Sequence, residues 1–269
     1  MTPGNLLFKK NVWEIKPTGY SGKKVLVTGA CGSIGSKLAR KLQILGAEVD
    51  GIDNQEGSVA NTRWRLGDFV DFRPTHKYHY VFHAAAYKHI LLGEDNPKSF
   101  YLNNVGKTVE FFNNVQTDKF VLVSTDKASG NSVMGNTKKC CEDLVKRTGH
   151  YALRLVNCAF SQGSVLDLWQ KLSREDLHYC VDAEVTRYWM QLDDAVNALL
   201  LIPFQKPGLY TVVGCPKFTM GQLRESWDKI HGPCKWMKKS LHWAERKDER
   251  LSGMGEALLN VSEHFARII

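Results

Sequence analysis

The sequence predicts an α/β fold in which a doubly wound parallel sheet is accompanied by a small C-terminal substrate-binding lobe. Two observations predict this class. Short apolar runs alternate with amphipathic helical segments along the first half of the chain, and a glycine-rich turn joins the first run to the first helix. The length of 269 residues fits one such domain with an added lobe. We expect an N-terminal extension over residues 1–22, a core over 23–155, and a mixed region over 156–269 with the last core elements and the lobe.

The turn between the first strand and the first helix lies in "VLVTGACGSIGSKLARKL". Gly29, Gly32 and Gly35 form a G-x-x-G-x-x-G pattern there. The first glycine permits a tight turn, the second lets backbone amides approach a pyrophosphate, and the third allows the helix to pack closely on the strand. The pattern predicts a Rossmann-type core that binds NAD(P). The other loop residues expected at the cofactor are Cys31, Ser33 and Ile34, with Cys31 a small filler rather than a nucleophile.

Side chains at the next strand ends predict the rest of the cofactor site. Asp53 ends the second strand, 24 residues after Gly29, where a carboxylate can accept hydrogen bonds from the ribose hydroxyls and would repel a 2′-phosphate. This favours NAD, with NADP as the alternative, and a plain turn aspartate is the other interpretation of Asp53. Asp68 and Phe69 follow the next strand, at the expected place of the adenine. Ala84, Ala85 and Ala86 end another strand, where small side chains let the cofactor lie against the backbone.

The second half of the chain has a less regular pattern. "GHYALRLVNCAF" predicts one more core strand, "SQGSVLDLWQKL" a turn and a helix, and "GLYTVVG" a further short strand. "TRYWMQLDDAVNALLLI" is interpreted as a polar turn that leads into an apolar helix, and "TMGQLRESWDKIH" as another helix. These interrupted segments are expected to form the small lobe.

Composition and spacing exclude several classes of protein. No apolar run approaches the roughly 18 residues of a membrane span, and no signal peptide is recognisable, so we expect no membrane span and a cytoplasmic location. The net charge of +8 is spread along the chain without a nucleic-acid-reading module, so no nucleic acid partner is expected. The densest basic run, "KKSLHWAERKDER", is interpreted as a solvated face, with binding of a phosphorylated small molecule as the alternative.

Cysteine and histidine spacing predicts no metal site. The seven cysteines lack a CxxC pair or zinc-type spacing, which indicates reduced thiols. His83 and His89 have no carboxylate–histidine spacing and are interpreted as packing or hydrogen-bonding residues.

Several segments, which occur in the same order along the chain, together resemble a known family. "FHAAAYKHILLGEDNP", "VLVSTDKA", "VMGNTKK", "LRLVNCAFSQGSVLDLW" and "TRYWMQLDDAV" resemble the nucleotide-sugar branch of extended short-chain dehydrogenases. Within it the chain is most similar to polysaccharide-biosynthesis UDP-N-acetylglucosamine 4,6-dehydratases, over about residues 22–215. Met134 occupies the position of the usual catalytic tyrosine, four residues before Lys138.

The resemblance implies a role for each matching residue. Asp126 would protonate the departing 6-hydroxyl, and Lys127 would remove the proton from carbon 5 of the sugar. Thr125 and Ser124 would border the sugar near the nicotinamide, and Lys138 would bind the nicotinamide ribose. Asn103 matches an asparagine whose helix supports the site. The positions implied to contact the UDP-sugar are Lys88, Asn157, Ser161, Gly163, Ser164, Val165 and Arg187, whereas Gln162 replaces a more usual arginine.

The implied reaction converts a UDP-N-acetylhexosamine, with UDP-N-acetylglucosamine the expected substrate, to a UDP-4-keto-6-deoxy sugar. Hydride leaves carbon 4 and returns to carbon 6 through bound NAD(P), and carbon 5 can invert. Because Met134 cannot move a proton, Asp126 is the candidate that accepts the proton of the 4-hydroxyl, directly or through a water. Two alternatives stay open: a nucleotide-sugar 4-epimerase or dehydrogenase, and a non-catalytic cofactor-binding protein. A homo-oligomer paired through helices near residues 98–115 and 133–148 is expected.

Overall fold

A large, mostly parallel sheet forms the centre of the computed structural model, which describes residues 2–7, 18–57, 62–173 and 175–269. Within these residues the strands are β1 (Lys24–Thr28), β2 (Glu48–Asp53), β3 (Arg63–Leu66), β4 (Tyr78–His83), β5 (Thr117–Thr125), β6 (Tyr151–Leu155), β7 (Asn157–Cys158), β8 (Leu177–Cys180), β9 (Thr186–Met190), β10 (Gly208–Val212), β11 (Lys217–Thr219), β12 (Lys235–Lys238), β13 (Leu258–Asn260) and β14 (Phe265–Ile268).

Helices cover both faces of this sheet. They are α1 (Pro3–Leu7), α2 (Ser33–Ile44), α3 (Ile90–Asp95), α4 (Pro97–Tyr101), α5 (Lys107–Asn114), α6 (Val133–Arg147), α7 (Val165–Lys171), α8 (Leu192–Leu201) and α9 (Met220–His231). A π-helical turn, Leu102–Gly106, joins α4 to α5, and a 3-10 turn, Asp126–Ser129, follows β5. None of the helices in the described part of the chain is both long and apolar enough to cross a membrane.

The strand order of the main sheet explains where a site can form. The order is β13-β14-β10-β6-β5-β4-β1-β2-β3, and the strands from β3 to β10 run parallel, whereas β14 and β13 are antiparallel additions at one edge. The chain winds outward from β1 to β3 and then returns to β4 on the other side. The carboxyl ends of β1 and β4 therefore border a crevice, which is where open α/β sheets bind ligands.

Apolar residues on both faces of the sheet form the core. One cluster packs Val25 and Val27 of β1 against Leu38 and Leu42 of α2, and all four side chains are fully buried. A second cluster covers the other face through residues of α5 and α6, including Phe111. This arrangement confirms the predicted fold class, a doubly wound Rossmann-type sheet.

The lobe has a separate core built around tryptophans. Two small sheets, β11-β9-β7 and β12-β8, pack with α7 and α9 around buried Trp169, Trp189 and Trp227. The first helix, α1, belongs to this lobe, because Leu6 and Leu7 are buried there. Residues 1 and 8–17 of the predicted N-terminal extension lie outside the described residues.

Several predictions about the second half need correction. "TRYWM" is the strand β9 and not a polar turn, because Trp189 packs into the lobe core while the backbone of the segment pairs with β7 and β11. Strands β8, β12, β13 and β14 were not expected from the sequence. The predicted core boundary after residue 155 coincides with the end of β6, but β10, β13 and β14 return to the main sheet from later in the chain. The division into extension, core and mixed region stays a prediction.

Candidate functional site

A cleft of about 890 Å³ lies over the carboxyl ends of the central strands and continues toward the lobe. Its glycine end is formed by residues 29–35 and Asp53, and its lysine end by residues 124–127 and Lys138. The predicted site residues that line the cleft are Gly29, Gly32, Ser33, Ile34, Gly35, Asp53, Asp68, Phe69, Ala84, Ala85, Ala86, Lys88, Asn103, Ser124, Thr125, Lys127, Met134, Lys138, Ser161 and Gly163. Those that do not line it are Cys31, Asp126, Asn157, Ser164, Val165 and Arg187.

The glycine end is shaped by backbone packed against backbone. Gly29 has φ of +67°, and a Cβ atom there would lie 2.7 Å from the amide nitrogen of Ala85. At Gly35 a Cβ would lie 2.1 Å from the carbonyl oxygen of Gly29. Because no side chain caps the start of α2, the amides of its first turn can donate to a phosphate. This end fits the pyrophosphate of a dinucleotide.

Asp53 fixes the conformation of the glycine-rich loop. Its Oδ2 accepts a hydrogen bond from the backbone amide of Cys31 at 2.9 Å, and its Oδ1 accepts one from the amide of Gln55 at 3.0 Å. Burial, with Asp53 nearby, raises the pKa of the Cys31 thiol, so this side chain stays neutral. Asp53 also lines the cleft, where a ribose hydroxyl can share the carboxylate.

Asp68, after β3, and His83, the last residue of β4, support the walls of the cleft. Asp68 accepts a hydrogen bond from the amide of Val70 at 3.2 Å and pairs with the ammonium of Lys107. His83 is buried between the hydroxyls of Thr28 and Thr108, at 2.8 and 2.9 Å. Burial lowers the pKa of His83 to about 3, so the ring is neutral and links β1, β4 and α5. His89, by contrast, lines the cleft.

An asparagine pair in the π-helical turn connects three elements. Asn103 lines the cleft, but its neighbour Asn104 is buried and makes the structural contacts. Asn104 binds both backbone groups of Tyr87, at 2.8 and 2.9 Å, and donates to the hydroxyl of Thr137 at 3.0 Å. Asn104 therefore holds this turn against Tyr87 and α6, and the supporting role that the resemblance implies for Asn103 stays a prediction. π-turns inside helices are frequent at functional sites.

At the lysine end, β5 delivers an acid and an amine side by side. The Nζ atom of Lys127 lies 3.0 Å from Oδ1 of Asp126 and 3.1 Å from Oδ1 of Asn157. Thr125 lines the cleft and donates to Asp126 at 3.1 Å. Asp126 itself is 2% exposed and does not line the cleft, whereas its partners Thr125 and Lys127 do.

A second carboxylate, which the sequence did not reveal, completes this cluster. Oε1 of Glu249 lies 3.0 Å from the Nζ atom of Lys127, and Oε2 accepts from Nδ2 of Asn157 at 2.8 Å. Arg187 contacts the same carboxylate, with its Nε atom 3.3 Å from Oε1. Glu249 is 5% exposed and belongs to the run interpreted as a solvated face, so at this position that interpretation is wrong.

Burial and opposite charges set the protonation of the three groups. Burial raises the pKa of Asp126 to about 7, while Lys127 opposes this shift and Glu249 adds to it. Burial alone would lower the pKa of Lys127, but Asp126 and Glu249 raise it above its ordinary value. Burial opposes ionisation of Glu249, yet Lys127 and Arg187 hold its pKa below the ordinary range. At neutral pH the cluster therefore holds an ammonium, an ionised Glu249 and an Asp126 that exchanges its proton easily.

Helix α6 brings Met134 and Lys138 to the cleft. Ser132 caps the helix by accepting from the amide of Gly135 at 3.1 Å, and a Cβ at Gly135 would lie 2.3 Å from the carbonyl oxygen of Lys127. The first turn of α6 is thus pressed against the Asp126–Ser129 turn. Met134 is 3% exposed, and burial lowers the pKa of Lys138.

The residues implied to contact a sugar nucleotide divide into two groups. Lys88 donates to the carbonyl oxygen of Gln162, next to Ser161 and Gly163 at the lobe side of the cleft. Arg187 instead donates to the carbonyl oxygens of Thr186 and Arg246, at 2.9 and 2.8 Å. Ser164 caps α7 and Val165 begins it. Contacts of Asn157, Ser164, Val165 and Arg187 with substrate stay predictions.

The chain is similar to known proteins over most of its length. Residues 65–206, just over half of the chain, match the family described as "Polysaccharide biosynthesis protein". The chain belongs to this polysaccharide biosynthesis family. It is 34% identical over 211 residues to the "Probable polysaccharide biosynthesis protein EpsC" of Bacillus subtilis (strain 168), covering 66% of this chain and 35% of that protein.

A second family relative is a dehydratase by name. The chain is 28% identical over 213 residues to the "UDP-N-acetylglucosamine 4,6-dehydratase (inverting)" of Campylobacter jejuni (serotype O:23/36, strain 81-176), covering 67% of this chain and 63% of that protein. The matches thus span only part of the length of both relatives. The solved structure of TunA, described as an NAD-dependent NDP-hexosamine 5,6-dehydratase, superposes with a TM-score of 0.77 at 16% identity, covering 87% of this chain and 89% of that one, which shows the shared fold.

Proposed function

We propose that this family member is a nucleotide-sugar 4,6-dehydratase that acts on a UDP-N-acetylhexosamine, with UDP-N-acetylglucosamine as the first candidate. The observation that carries the proposal is the pair Asp126 and Lys127, 3.0 Å apart, beside a cleft whose other end fits a dinucleotide. The named activity of the Campylobacter jejuni relative supports it. At the tyrosine position, Met134 leaves Asp126 as the nearest proton acceptor at the strand end.

NAD is the proposed cofactor. The close backbone contacts at Gly29 and Gly35, the uncapped start of α2 and the carboxylate of Asp53 would hold its pyrophosphate and ribose. When bound, NAD would accept hydride from carbon 4 of the sugar and return it to carbon 6, so that no external oxidant is consumed. Asp53 disfavours a 2′-phosphate, and the description of TunA as an NAD-dependent enzyme agrees with this choice.

Asp126 would perform two proton transfers through Thr125. The hydroxyl of Thr125 faces the cleft and lies 3.1 Å from Oδ1 of Asp126, so it can pass the proton of the 4-hydroxyl to that carboxylate. The same proton would then go to the oxygen on carbon 6, which leaves as water. A pKa of about 7 suits a group that must both accept and donate a proton near neutral pH.

Lys127 would remove the proton on carbon 5 and return it at the end of the cycle. In the ligand-free structure it is an ammonium held by two carboxylates. Transfer of the 4-hydroxyl proton to Asp126 neutralises one of them, which lowers the pKa of Lys127 and favours the free amine at the step that needs a base. Lys127 must first release its ammonium proton to solvent, and it takes a proton back from solvent after it has returned one to carbon 5. With that exchange the substrate loses one water, and the chain and the cofactor end as they began.

Two other functions fit the fold less well. A 4-epimerase or dehydrogenase could also deprotonate the 4-hydroxyl through Asp126, but it has no step for a second group that removes the proton on carbon 5, which is the role proposed for Lys127. A non-catalytic binding protein needs no buried acid–amine cluster, and burying such charges is costly unless they are used or fully paired. The cluster Asp126, Lys127 and Glu249 therefore favours an enzyme.

The test is incubation of the purified protein with UDP-N-acetylglucosamine and NAD in deuterated water. We expect a UDP-4-keto-6-deoxy product with deuterium at carbon 5, detected by NMR and mass spectrometry. Formation of the 4-epimer without water loss would identify an epimerase instead. Unchanged substrate, with NAD and UDP-sugar binding shown by calorimetry, would support the non-catalytic alternative.

The oligomeric state and the cytoplasmic location stay predictions. A homo-oligomer would pair through α4, α5 and α6, which include residues 98–115 and 133–148 of the expected contact. Sedimentation of the purified protein would measure it.

A further inference from the structure

The lysine end of the cleft contains a carboxylate from a part of the chain more than a hundred residues away from β5. Glu249 lies in an irregular segment, residues 244–250, between β12 and β13, and reaches Lys127 at 3.0 Å. None of the predicted site residues comes from this segment, and the resemblance that gives roles to Asp126 and Lys127 ends near residue 215.

Several hydrogen-bond donors and two cations surround the carboxylate of Glu249. One carboxylate oxygen contacts the ammonium of Lys127 and the guanidinium of Arg187, and the other accepts from Asn157 Nδ2 at 2.8 Å and from the backbone amide of Tyr188 at 3.3 Å. Four donors thus converge on one buried carboxylate. Burying an ion is favourable only when it is paired and hydrogen-bonded to this degree, so the position of Glu249 is strongly determined.

The segment that carries Glu249 is anchored to the core on both sides. On the N-terminal side of Glu249, the guanidinium of Arg246 donates to the hydroxyl of Ser129 at 2.9 Å and to the carbonyl oxygen of Ser129. After it, Glu256 accepts two hydrogen bonds, at 2.6 and 2.8 Å, from the fully buried Arg154. Arg154 also binds Glu142 of α6, so the segment and α6 share one buried ion network.

We propose that Glu249 is a positioning residue that holds the ammonium of Lys127 at the mouth of the cleft and sets the charge of the Asp126–Lys127 pair. The inference rests on the proposed function for its catalytic consequence. Lys127 has a flexible four-carbon side chain, and Asp126 alone would give its Nζ atom one partner. Asn157 at 3.1 Å and Glu249 at 3.0 Å add two more, while a quarter of the side chain stays exposed where it lines the cleft.

The charge of Glu249 should have a measurable effect on the pKa values of Asp126 and Lys127. The charged or titratable groups that face the pair are Glu249 from the segment, Arg187 from β9, Cys158 from β7, and Cys215 after β10. Burial raises the pKa of each of the two thiols to about 12, so both are neutral. Glu249 is then the group that raises the pKa of both Asp126 and Lys127, and its removal should let both lose protons at lower pH.

The test compares Glu249→Gln and Glu249→Asp with wild type, with Glu245→Gln as the matched control. Glu245 is a carboxylate of the same segment that contacts Arg187 at 3.7 Å. Because catalysis needs an ionised Asp126 and a neutral Lys127, activity should rise with pH along an acidic limb. We expect Glu249→Gln to move that limb to lower pH by about one unit and to lower the plateau kcat by roughly tenfold, with KM little changed.

The conservative variant separates charge from position. Glu249→Asp keeps the charge but shortens the reach, so the limb should stay in place while kcat falls, and Glu245→Gln should leave the limb in place. A limb that does not move in Glu249→Gln, or that moves equally in Glu245→Gln, would overturn the inference.

A ligand-free measurement makes the result independent of the proposed reaction. The ¹³Cε signal of Lys127, assigned by its loss in Lys127→Arg, should titrate at lower pH in Glu249→Gln than in wild type. Unchanged titration would refute the inference even if the wild type dehydrates its substrate. An inactive wild type with the expected titration shift would refute only the proposed function.

Discussion

The two ends of the cleft are built in different ways. At the glycine end, shape comes from the backbone: Gly29 and Gly35 leave no room for a Cβ, and the residues lie within one strand–turn–helix unit. At the lysine end, function depends on charges that meet from distant parts of the chain, namely Asp126 and Lys127 after β5, Asn157 of β7 and Glu249 near the C-terminus. The first end depends on local sequence and the second on tertiary packing.

Because the two ends are built differently, substitutions at each end should have different effects. A change at the glycine end should act through steric overlap and cofactor affinity. A change at the lysine end should act through proton transfer and pH dependence, and should leave cofactor binding intact. If variants at both ends changed cofactor affinity and pH dependence alike, this distinction between the two ends would be wrong.

The largest effect is expected for Lys127→Ala. Loss of the amine removes the proposed base at carbon 5 and leaves Asp126 facing Glu249 without their shared cation. Turnover should fall by about a thousandfold or more, and exchange of the carbon 5 proton in deuterated water should disappear. NAD affinity, measured by calorimetry, should stay within about twofold of wild type, because no glycine-end contact changes. Intact turnover would show that Lys127 is not the base.

Asp126→Asn should come next, with a loss of turnover of at least about a hundredfold and a gain in stability at higher pH. The folded-state pKa of Asp126 is about 7, above its ordinary value of 3.8, so the folded protein binds a proton that the unfolded chain has released. The stability that this carboxyl contributes is therefore present at low pH and lost as pH rises from about 4 through 7. The melting temperature of the variant relative to wild type should increase between pH 5 and pH 8. No change in that difference would contradict the shift.

Gly35→Ala tests the glycine end. The added Cβ would overlap the carbonyl oxygen of Gly29 at 2.1 Å, where both partners are backbone and cannot yield easily. Overpacking of this kind costs about 1–3 kcal/mol, which corresponds to roughly 5- to 150-fold in NAD affinity if the loop is forced away from the pyrophosphate. Gly106→Ala is the control, because its Cβ would meet the side chain of Leu102 at an ordinary 3.6 Å. Equal NAD affinity in both variants would show that the close backbone contact at Gly35 does not control NAD binding.

The smallest effect on rate is expected for Met134→Ala. Met134 is buried at the start of α6 and cannot transfer a proton, so its loss should cost about 2–5 kcal/mol of folding stability as a cavity forms. We expect kcat to fall by less than about tenfold, measured at a temperature where the variant is folded. A loss as large as that of Asp126→Asn would mean that the thioether has a direct role in the reaction.

Sequence reasoning succeeded where function depends on local pattern. The alternation of strands and helices indicated the doubly wound sheet, and the Gly29–Gly35 spacing indicated the turn that the structure contains. The structure places the side chains of Asp126 and Lys127, which follow β5, 3.0 Å apart, and the roles that the resemblance implies for them stay predictions.

It failed where a residue acquires its role from packing. Glu249 sits among lysines and arginines, and nothing in that run distinguishes a buried carboxylate from a solvated one. Asn104 makes the buried hydrogen bonds of the π-turn, and a 3.6-residue period could not predict this, because a π-turn adds a residue to the helix. The UDP-sugar contact that the resemblance implies for Arg187 stays a prediction, but nothing in the sequence indicated that its donors are engaged by carbonyl oxygens and by Glu249.

The central claim is that a hydride leaves carbon 4 and returns to carbon 6 of the same sugar while Asp126 and Lys127 move the protons. The most direct measurement uses UDP-N-acetylglucosamine deuterated at carbon 4, incubated with the wild-type protein and NAD in ordinary water. Deuterium should appear at carbon 6 of the 4-keto-6-deoxy product, within the same molecule. Deuterium that stays at carbon 4 of unchanged substrate, or is lost without reaching carbon 6, would contradict the account.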